Sequence, residues 1–228
     1  MSRDIEGEVW TEPWDPASGD LPGISIEAGF SERMDFKIGN TLKFDGEQAF
    51  ADNTDGIGLV NDITRNAGVP LAGARILLVG AGGAASGVLG PFIEAGPAAI
   101  TVANRTLEKA RELVARHAFM ADRQGVALQA CTLEGVGAGY DIVVNGSATS
   151  LGGEAVPVPA SVLRPGTLAV DMMYGPAAAP FLDWARAHGA VPRDGLGMLV
   201  EQAAESFLIW RGLRPPADDV LTQLRQAL

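Results

Sequence analysis

The sequence predicts an α/β fold in which helices cover both faces of a parallel sheet. Short apolar runs alternate with helical patterns through the middle of the chain, and the first of these runs ends in a glycine-rich turn. Continuous apolar strands are typical of sheets that are buried on both faces. The chain has 228 residues, of which 47% are apolar, and can form one large or two small domains. The expected architecture is therefore a Rossmann-like, doubly wound parallel sheet.

The first 36 residues differ in composition from the rest of the chain. They contain nine acidic and two basic residues, and Pro13, Pro16 and Pro22 interrupt any regular pattern. Such a stretch buries too little apolar surface to offset the entropy lost on ordering it. We therefore expect residues 1–36 to be poorly ordered or to form an irregular edge.

A short hairpin and a connecting helix are expected next. Asn40 to Phe44 and Gln48 to Ala51 flank Asp45-Gly46, a pair that supplies the left-handed backbone of a tight turn. After Asn53-Thr54-Asp55-Gly56, apolar residues recur at helical spacing toward Gly68.

Strands and helices then alternate. The helix after the first strand has an apolar stripe that should face inward, although Pro91 should bend it, and Thr106 is positioned to cap a helix from Leu107 to His117. Leu196 to Trp210 is amphipathic, and a last helix is expected from Ala217 to Leu228. The expected strands are Arg75 to Val79, Ala99 to Ala103, Asp141 to Asn145 and Thr167 to Val170.

The turn after the first strand has the pattern of a dinucleotide-binding loop. Its sequence, Gly80-Ala81-Gly82-Gly83-Ala84, lets the backbone approach a pyrophosphate, which would lie at the N-terminus of the next helix. Arg105 follows the second strand, where an acidic residue would instead bind the ribose 2′-hydroxyl of NAD. Because the guanidinium fork suits a 2′-phosphate, we expect NADP as the cofactor. For the glycines alone, an ordinary strand-to-helix turn is the alternative.

Charge, hydropathy and cysteine content exclude several classes of protein. The net charge of −11 argues against a nucleic-acid partner. No apolar run approaches the roughly 18 to 20 residues that span a bilayer, and the acidic N-terminus is unlike an export signal, so we expect no membrane association. Cys131 is the only cysteine, which fits a cytoplasmic protein and a small buried side chain better than a nucleophile. The sequence contains no cluster with metal-ligand spacing.

Four further clusters accompany the glycine turn and Asn104-Arg105-Thr106. They are Gly39-Asn40-Thr41-Leu42, Asp52-Asn-Thr-Asp-Gly56, Asp171-Met-Met-Tyr174 and Asp194-Gly-Leu-Gly-Met-Leu-Val-Glu-Gln-Ala203. In this order and at these separations, the six motifs resemble the shikimate dehydrogenase family, NADP-dependent oxidoreductases of chorismate and aromatic amino-acid biosynthesis. The resemblance runs from about residue 38 to the C-terminus and is far more specific than one glycine loop.

The resemblance implies roles for individual residues. Asp55 matches the family's catalytic aspartate, and Asn40, Asp55, Tyr174 and Gln202 match its substrate-binding residues. Such a set suits a polyhydroxy acid, which needs several fixed donors and acceptors to orient its reacting carbon. The positions that match cofactor contacts are Gly80, Ala81, Gly82, Gly83, Ala84, Asn104, Arg105, Thr106, Lys109, Met172 and Gly195.

Each of these residues also has a purely structural interpretation. Asp55 could be a helix cap or turn former, Tyr174 a loop-packing residue, and Gln202 a solvated helix residue. Met172 is of a type that fills protein cores more often than it contacts cofactors. The neighbouring motifs favour the functional interpretation in each case.

The family's first domain has no recognisable counterpart in residues 1–39. That domain has a Ser-x-Ser motif for the substrate carboxylate and an Asn-x-Thr-x-Pro-x-Lys motif that holds the catalytic lysine, and neither occurs here. Lys37 is expected to be a surface charge. We therefore expect the domain to be truncated or replaced.

The expected segments are 1–36, poorly matched; 37–68, a remnant of the smaller α/β substrate-binding domain with a linking helix; 69–195, the NADP-binding domain; and 196–228, the C-terminal linking helices.

The expected function is NADP-dependent, reversible reduction of 3-dehydroshikimate to shikimate by a monomer or homodimer, impaired by the absence of the lysine. Two alternatives stay open. One is a quinate/shikimate dehydrogenase that uses NAD, against which Arg105 counts. The other is a non-catalytic NADP-binding module, which the absent lysine favours. Cofactor binding without turnover would distinguish the module from an enzyme.

Overall fold

Eight strands provide the framework of the computed structural model, which describes residues 40–45, 48–147 and 156–227. The expectation for residues 1–36 lies outside the described residues, as do Gly46 of the expected turn and Leu228. The strands are β1 (Asn40–Asp45), β2 (Gln48–Asn53), β3 (Arg75–Val79), β4 (Ala99–Ala103), β5 (Ala127–Cys131), β6 (Ile142–Asn145), β7 (Leu168–Asp171) and β8 (Val191–Arg193).

Within the same described ranges, six α-helices connect and cover these strands. They are α1 (Asp55–Asn61), α2 (Gly83–Glu94), α3 (Leu107–Gln124), α4 (Ala179–Ala187), α5 (Leu196–Arg211) and α6 (Ala217–Ala227). Helix α1 continues into a π-helical segment, Asp62–Asn66. Short 3₁₀ turns occur at Ala160–Val162 and Gly175–Ala178.

The six strands from β3 to β8 form one parallel sheet in the order β5-β4-β3-β6-β7-β8. Ile76 of β3 pairs with Ile100 of β4 on one side and with Ile142 of β6 on the other. The strand order therefore reverses direction between β3 and β6, and the crevice outside the carboxyl ends of a doubly wound sheet lies at such a point. The predicted doubly wound parallel sheet is confirmed.

Two apolar layers pack on the opposite faces of this sheet. Alternate side chains of β3 divide between them, because successive strand residues point to opposite faces. Ile76 packs in the layer that contains Leu59 of α1 and Phe92 of α2, whereas Leu77 packs in the layer that contains Phe181 of α4, and all five side chains are buried. Helix α1, which follows the Asp55 motif, is thus part of the main core.

The hairpin β1–β2 lies outside the main sheet and packs against α5. Asn40 pairs with Asn53 at its open end. The Trp210 indole nitrogen donates a 2.9 Å hydrogen bond to the Leu42 carbonyl, and the Thr41 and Ser206 hydroxyls lie 2.5 Å apart. These contacts join the hairpin to the C-terminal part of the chain.

Several expected boundaries differ from the structure. Helix α3 ends at Gln124 rather than His117, because Gly125 adopts the left-handed conformation that terminates a helix. Thr106 occupies the cap position of this helix, but its side chain makes no capping hydrogen bond there. Strands β5 and β8 were not expected, and β6 and β7 each begin one residue later than predicted.

Candidate active site

The glycine turn lies between β3 and α2, at the carboxyl edge of the sheet. Gly80 has φ +110°, and a Cβ there would lie 2.9 Å from the Gly146 carbonyl oxygen. Its N–H donates a 2.7 Å hydrogen bond to the Ala103 carbonyl of the neighbouring strand. The fold itself therefore requires glycine at this position.

Gly82 and Gly83 are different, because nothing in the described structure requires them to lack a side chain. Gly82 has φ −87°, which any residue adopts, and an added Cβ at either position would meet no atom within 4 Å. Gly82, Gly83 and Ala84 are all exposed at the N-terminus of α2. The first N–H groups of a helix have no partner within the helix and favour an anion. The bare backbone here forms a cradle that suits a pyrophosphate.

The loop after β4 presents positive charge beside this cradle, because β3 and β4 are neighbouring strands. The Asn104 N–H donates a 3.2 Å bond to the Cys131 carbonyl, and its side-chain amide donates a 2.9 Å bond to the Thr106 carbonyl. Arg105, Thr106 and Lys109 are exposed. Asn104 thus fixes the loop backbone, and two cationic side chains remain accessible to a phosphate.

The ends of β6 and β7 carry polar residues to which sequence reasoning assigned no role. The buried Asp171 carboxylate accepts a 3.0 Å bond from the Asn145 side-chain amide and a 2.8 Å bond from the Met173 N–H. The Ser147 hydroxyl donates a 2.7 Å bond to Asn145 Oδ1. The only signal for Asp171 was its place at the head of the Asp-Met-Met-Tyr cluster. These bonds hold the chain around Met172 in one conformation.

Met172 and Gly195 lie next to each other at the end of β7. The Gly195 N–H donates a 2.8 Å bond to the Met173 carbonyl, and the Met172 carbonyl oxygen occupies the place that a Gly195 side chain would need. Glycine at position 195 therefore allows the start of α5 to approach the end of β7. Tyr174 follows on the same loop and is 43% exposed.

Asp55 begins α1, directly after the open end of the hairpin. Its N–H donates a 2.9 Å bond to the Asn53 side-chain oxygen, which fixes the turn into the helix, whereas Thr54 occupies the cap position without a side-chain capping bond. The Asp55 side chain is half-buried, and burial raises the pKa of its carboxyl above the ordinary value of 3.8.

Gln202 is brought to the Asp55 turn by the packing of α5 against α1. The Thr54 hydroxyl donates a 3.2 Å bond to Gln202 Oε1. A Cβ on Gly58 would lie 2.7 Å from the Gln202 Cβ, so glycine at this position lets the two helices approach closely. Asn40 is placed at the same end of the hairpin by its pairing with Asn53. The contacts found among the described residues do not join Tyr174 to Asp55 or to Gln202.

Other kinds of site find no support in the described parts of the chain. No group of three His, Cys, Asp or Glu side chains there could hold a metal ion. None of the described helices is long and apolar enough to cross a membrane. Cys131 is half-buried, and burial raises the pKa of its thiol, which reduces the reactive thiolate.

Comparison with known proteins accounts for these features together. Residues 62–151 match the family described as shikimate / quinate 5-dehydrogenase, and residues 195–225 match the shikimate 5′-dehydrogenase C-terminal domain. A shikimate dehydrogenase (NADP(+)) of Acidovorax ebreus (strain TPSY) is 61% identical over 209 residues, covering 91% of this chain and 74% of the relative. The chain belongs to the shikimate dehydrogenase family. The family assignment made from the six motifs is confirmed.

Solved structures extend the comparison to the shikimate dehydrogenase fold. An Ael1 enzyme from Pseudomonas putida is 46% identical, with a TM-score of 0.73 over 80% of this chain and 66% of that chain. The shikimate 5-dehydrogenase of Thermus thermophilus, in complex with NADP(H) and shikimate, is 32% identical, with a TM-score of 0.67 over 82% of this chain and 67% of that chain. This chain therefore spans about two thirds to three quarters of the length of these proteins. The Acidovorax match includes part of the segment before Asn40, since it covers 91% of the chain.

Gly82 tests whether the glycine turn binds the cofactor. We expect Gly82→Val to abolish NADPH binding and to leave cooperative thermal unfolding intact, because the added side chain fills the cradle but meets no protein atom near its Cβ. Gly90→Val is the control, since an added Cβ in that helix would meet only His117 Nε2, at 4.0 Å. Nicotinamide fluorescence titration measures binding. Undiminished binding by Gly82→Val would show that the loop does not hold the cofactor.

The ionised carboxylate of Asp55 should lower the free energy of unfolding at neutral pH. Its pKa is higher in the folded chain than the ordinary 3.8, so the folded state binds more protons and stability falls as pH rises through the raised pKa. We expect Asp55→Asn to increase the melting temperature at pH 7, with the gain disappearing below pH 3.8. Glu112→Gln, at an exposed position of α3, should give no such gain. A gain that is the same at all pH values would contradict the assignment.

Proposed function

We propose that the protein interconverts shikimate and 3-dehydroshikimate with NADP, as an oxidoreductase. The observation that carries this proposal is the packing of α5 on α1, which brings Gln202 to the Asp55 turn through Thr54. The same helix α5 begins at Gly195, against Met173 at the end of β7. One helix thereby joins the matched substrate residues to the matched cofactor residues. The names of the relatives support the same reaction.

The cofactor would be held by three parts of the sheet edge. The glycine turn and the first turn of α2 suit the pyrophosphate, because Gly82 and Gly83 leave open space and exposed N–H groups. Arg105 and Lys109 suit the 2′-phosphate by charge. Met172 and Gly195 line the end of β7, where the nicotinamide would lie. When bound, NADPH supplies the hydride, and the protein contributes orientation and electrostatics.

The substrate would lie beside Asp55 and Gln202, with Asn40 and Tyr174 as further contacts. The Asp55 carboxylate accepts a hydrogen bond from the substrate hydroxyl and, because burial raises its pKa, attracts a proton more strongly than an exposed aspartate does. In the reducing direction a proton must reach the new oxygen, and an ionised aspartate has none to give. In the family this proton transfer involves the lysine of the Asn-x-Thr-x-Pro-x-Lys motif, which residues 1–228 do not contain.

A second candidate is an NADP-binding module without turnover. Residues 1–228 taken alone would behave in this way, since they contain neither the Ser-x-Ser motif that contacts the carboxylate nor the Asn-x-Thr-x-Pro-x-Lys motif that holds the lysine. An NAD-dependent quinate/shikimate dehydrogenase is less well supported, because Arg105 stands where an acidic residue would bind NAD. We further propose a cytoplasmic location, given the lone Cys131, and a monomer or homodimer as the assembly.

Arg105 should determine the choice of cofactor. We expect the protein to prefer NADPH over NADH, and Arg105→Ala to weaken NADPH binding by roughly ten- to a hundredfold, the effect of losing a charged hydrogen bond of about 1.5 to 3 kcal/mol. NADH binding should change little. Arg116→Ala, at an exposed position further along α3, is the matched control. Equal affinity of the parent for both cofactors would refute the 2′-phosphate role.

The turnover of shikimate by a protein made of residues 1–228 alone should be low. We expect little oxidation of shikimate by NADP, followed by NADPH absorbance, although NADPH binds. Placing a complete family substrate domain before Asn40 should increase the rate by about 10²- to 10⁴-fold, the usual contribution of a positioned proton donor. Asp55→Asn should abolish the restored rate. High activity in the unmodified chain that is lost on Asp55→Asn would show that another residue replaces the lysine.

A further inference from the structure

Three buried hydroxyl groups form a chain that ends at Gln202. The Thr41 and Ser206 oxygens are 2.5 Å apart, the Ser206 and Thr54 oxygens are 3.1 Å apart, and the Thr54 hydroxyl is 3.2 Å from Gln202 Oε1. Thr41, Thr54 and Ser206 are 4%, 1% and 6% exposed. They come from β1, the turn before α1, and α5, so the chain joins three separate segments.

The direction of each hydrogen bond in this series of hydroxyl groups follows from the number of bonds that each group can donate and accept. Each hydroxyl donates one proton and can accept two. Because the Gln202 oxygen can only accept, the Thr54 proton points to Gln202. The Ser206 proton then points to Thr54, and the Thr41 proton to Ser206. The opposite order would leave the buried Thr41 proton without an acceptor among the hydrogen bonds of the described residues, which costs free energy.

This order determines which end of the Gln202 amide is available to a ligand. The carbonyl oxygen accepts from Thr54 with one of its two lone pairs, whereas the NH₂ group makes none of the hydrogen bonds found among the described residues. The start of the same side chain is confined by α1, where only a glycine at position 58 leaves room for it. Gln202 is therefore held at both ends of its side chain.

We propose that Thr54, supported by Ser206, is a positioning residue that fixes the Gln202 amide as a hydrogen-bond donor to the substrate. The atom that Gln202 binds is then an oxygen acting through its lone pair, such as a ring hydroxyl oxygen that accepts. This inference rests on the proposed function, in which Gln202 contacts shikimate. It assigns a role to Thr54, a buried residue of the Asn-Thr-Asp-Gly motif that the resemblance matched to neither substrate nor cofactor.

Shikimate affinity in the presence of NADP⁺ tests the proposal. We expect Thr54→Val, which keeps the shape but removes the donor, to weaken shikimate binding by about 3- to 10-fold, the range of one hydrogen bond. NADP⁺ affinity should stay the same, which also shows that the variant folds. Thr54→Ser retains a hydroxyl and should bind within about twofold of the parent. Thr101→Val is the matched control, since Thr101 is also a buried threonine bonded to a glutamine, Gln129, away from the site.

Two further variants separate positioning from general destabilisation. In a Gln202→Ala background, Thr54→Val should cause no additional loss, because Thr54 acts through Gln202. Gln202→Glu still accepts from Thr54 but presents an ionised oxygen to the substrate, so it should lose at least as much affinity as Gln202→Ala. An additive loss in the double variant, or undiminished binding by Gln202→Glu, would overturn the proposal.

A measurement without substrate keeps the proposal independent of the reaction. The side-chain amide of Gln202 gives a pair of proton–nitrogen NMR signals, which Gln202→Ala identifies by their loss. We expect Thr54→Val to shift both signals toward those of exposed glutamines and Thr54→Ser to leave them in place. If the parent fails to bind shikimate but these shifts occur, the proposed function fails and the positioning role stands. Unchanged signals in Thr54→Val would refute the positioning role itself.

Discussion

The arrangement of the candidate site depends on a buried ion pair between Asp62 and Arg193. The Asp62 side chain is fully buried at the start of the π-helical segment that continues α1, and Arg193 ends β8. Arg193 donates from Nε and Nη2 to the two carboxylate oxygens, at 2.6 and 2.5 Å, and Asn66 donates a third bond of 2.9 Å. A buried carboxylate is tolerated only when it is paired and hydrogen-bonded in this way.

This ion pair positions both halves of the site at once. It ties the segment after α1 to the residues just before α5, so the turn that holds Asp55 and the loop that holds Gly195 are fixed relative to each other. Gly197 contributes by having no side chain, since the Asp62 carboxylate occupies the place where its Cβ would be. A second ion pair, between Arg225 and Asp194, attaches α6 to the same junction with bonds of 2.8 and 2.5 Å. The C-terminal helices therefore belong to the architecture of the site, although no residue of α6 was matched to a substrate or cofactor.

The sheet could be predicted from the sequence because its central strands are apolar along almost their whole length. Every residue of β6 is buried, and short, nearly continuous apolar runs that alternate with helical patterns are typical of parallel strands. The edge strands were missed for the opposite reason. Strand β5 contains the exposed Gln129, and β8 is three residues long with a central Pro192, so neither has the continuous apolar character of a buried strand. Their pairing is set by the neighbouring strand rather than by their own composition.

The candidate site could be proposed from the sequence only as far as its motifs extend. The glycine turn, Arg105, Asp55 and Gln202 all stand in short patterns that the residues themselves display. Asp62 and Arg193 could not be recognised, because charged residues usually lie at the surface and nothing local marks a pair separated by 131 positions as buried. The hydroxyls of Thr41 and Ser206, 165 positions apart, pose the same difficulty. Long-range polar contacts follow from the packing of helices, which local sequence patterns do not specify.

The contrast between Gly80 and Gly82 has an evolutionary consequence. Gly80 is constrained by its own chain, through a positive φ and the nearby Gly146 carbonyl, whereas Gly82 is constrained only by whatever occupies the space in front of it. In a descendant of this gene that no longer needed a nucleotide, selection for folding would continue to retain Gly80. Substitutions of Gly82 and Gly83 would no longer be selected against. The residues found at these positions in such descendants would therefore indicate when nucleotide binding was lost.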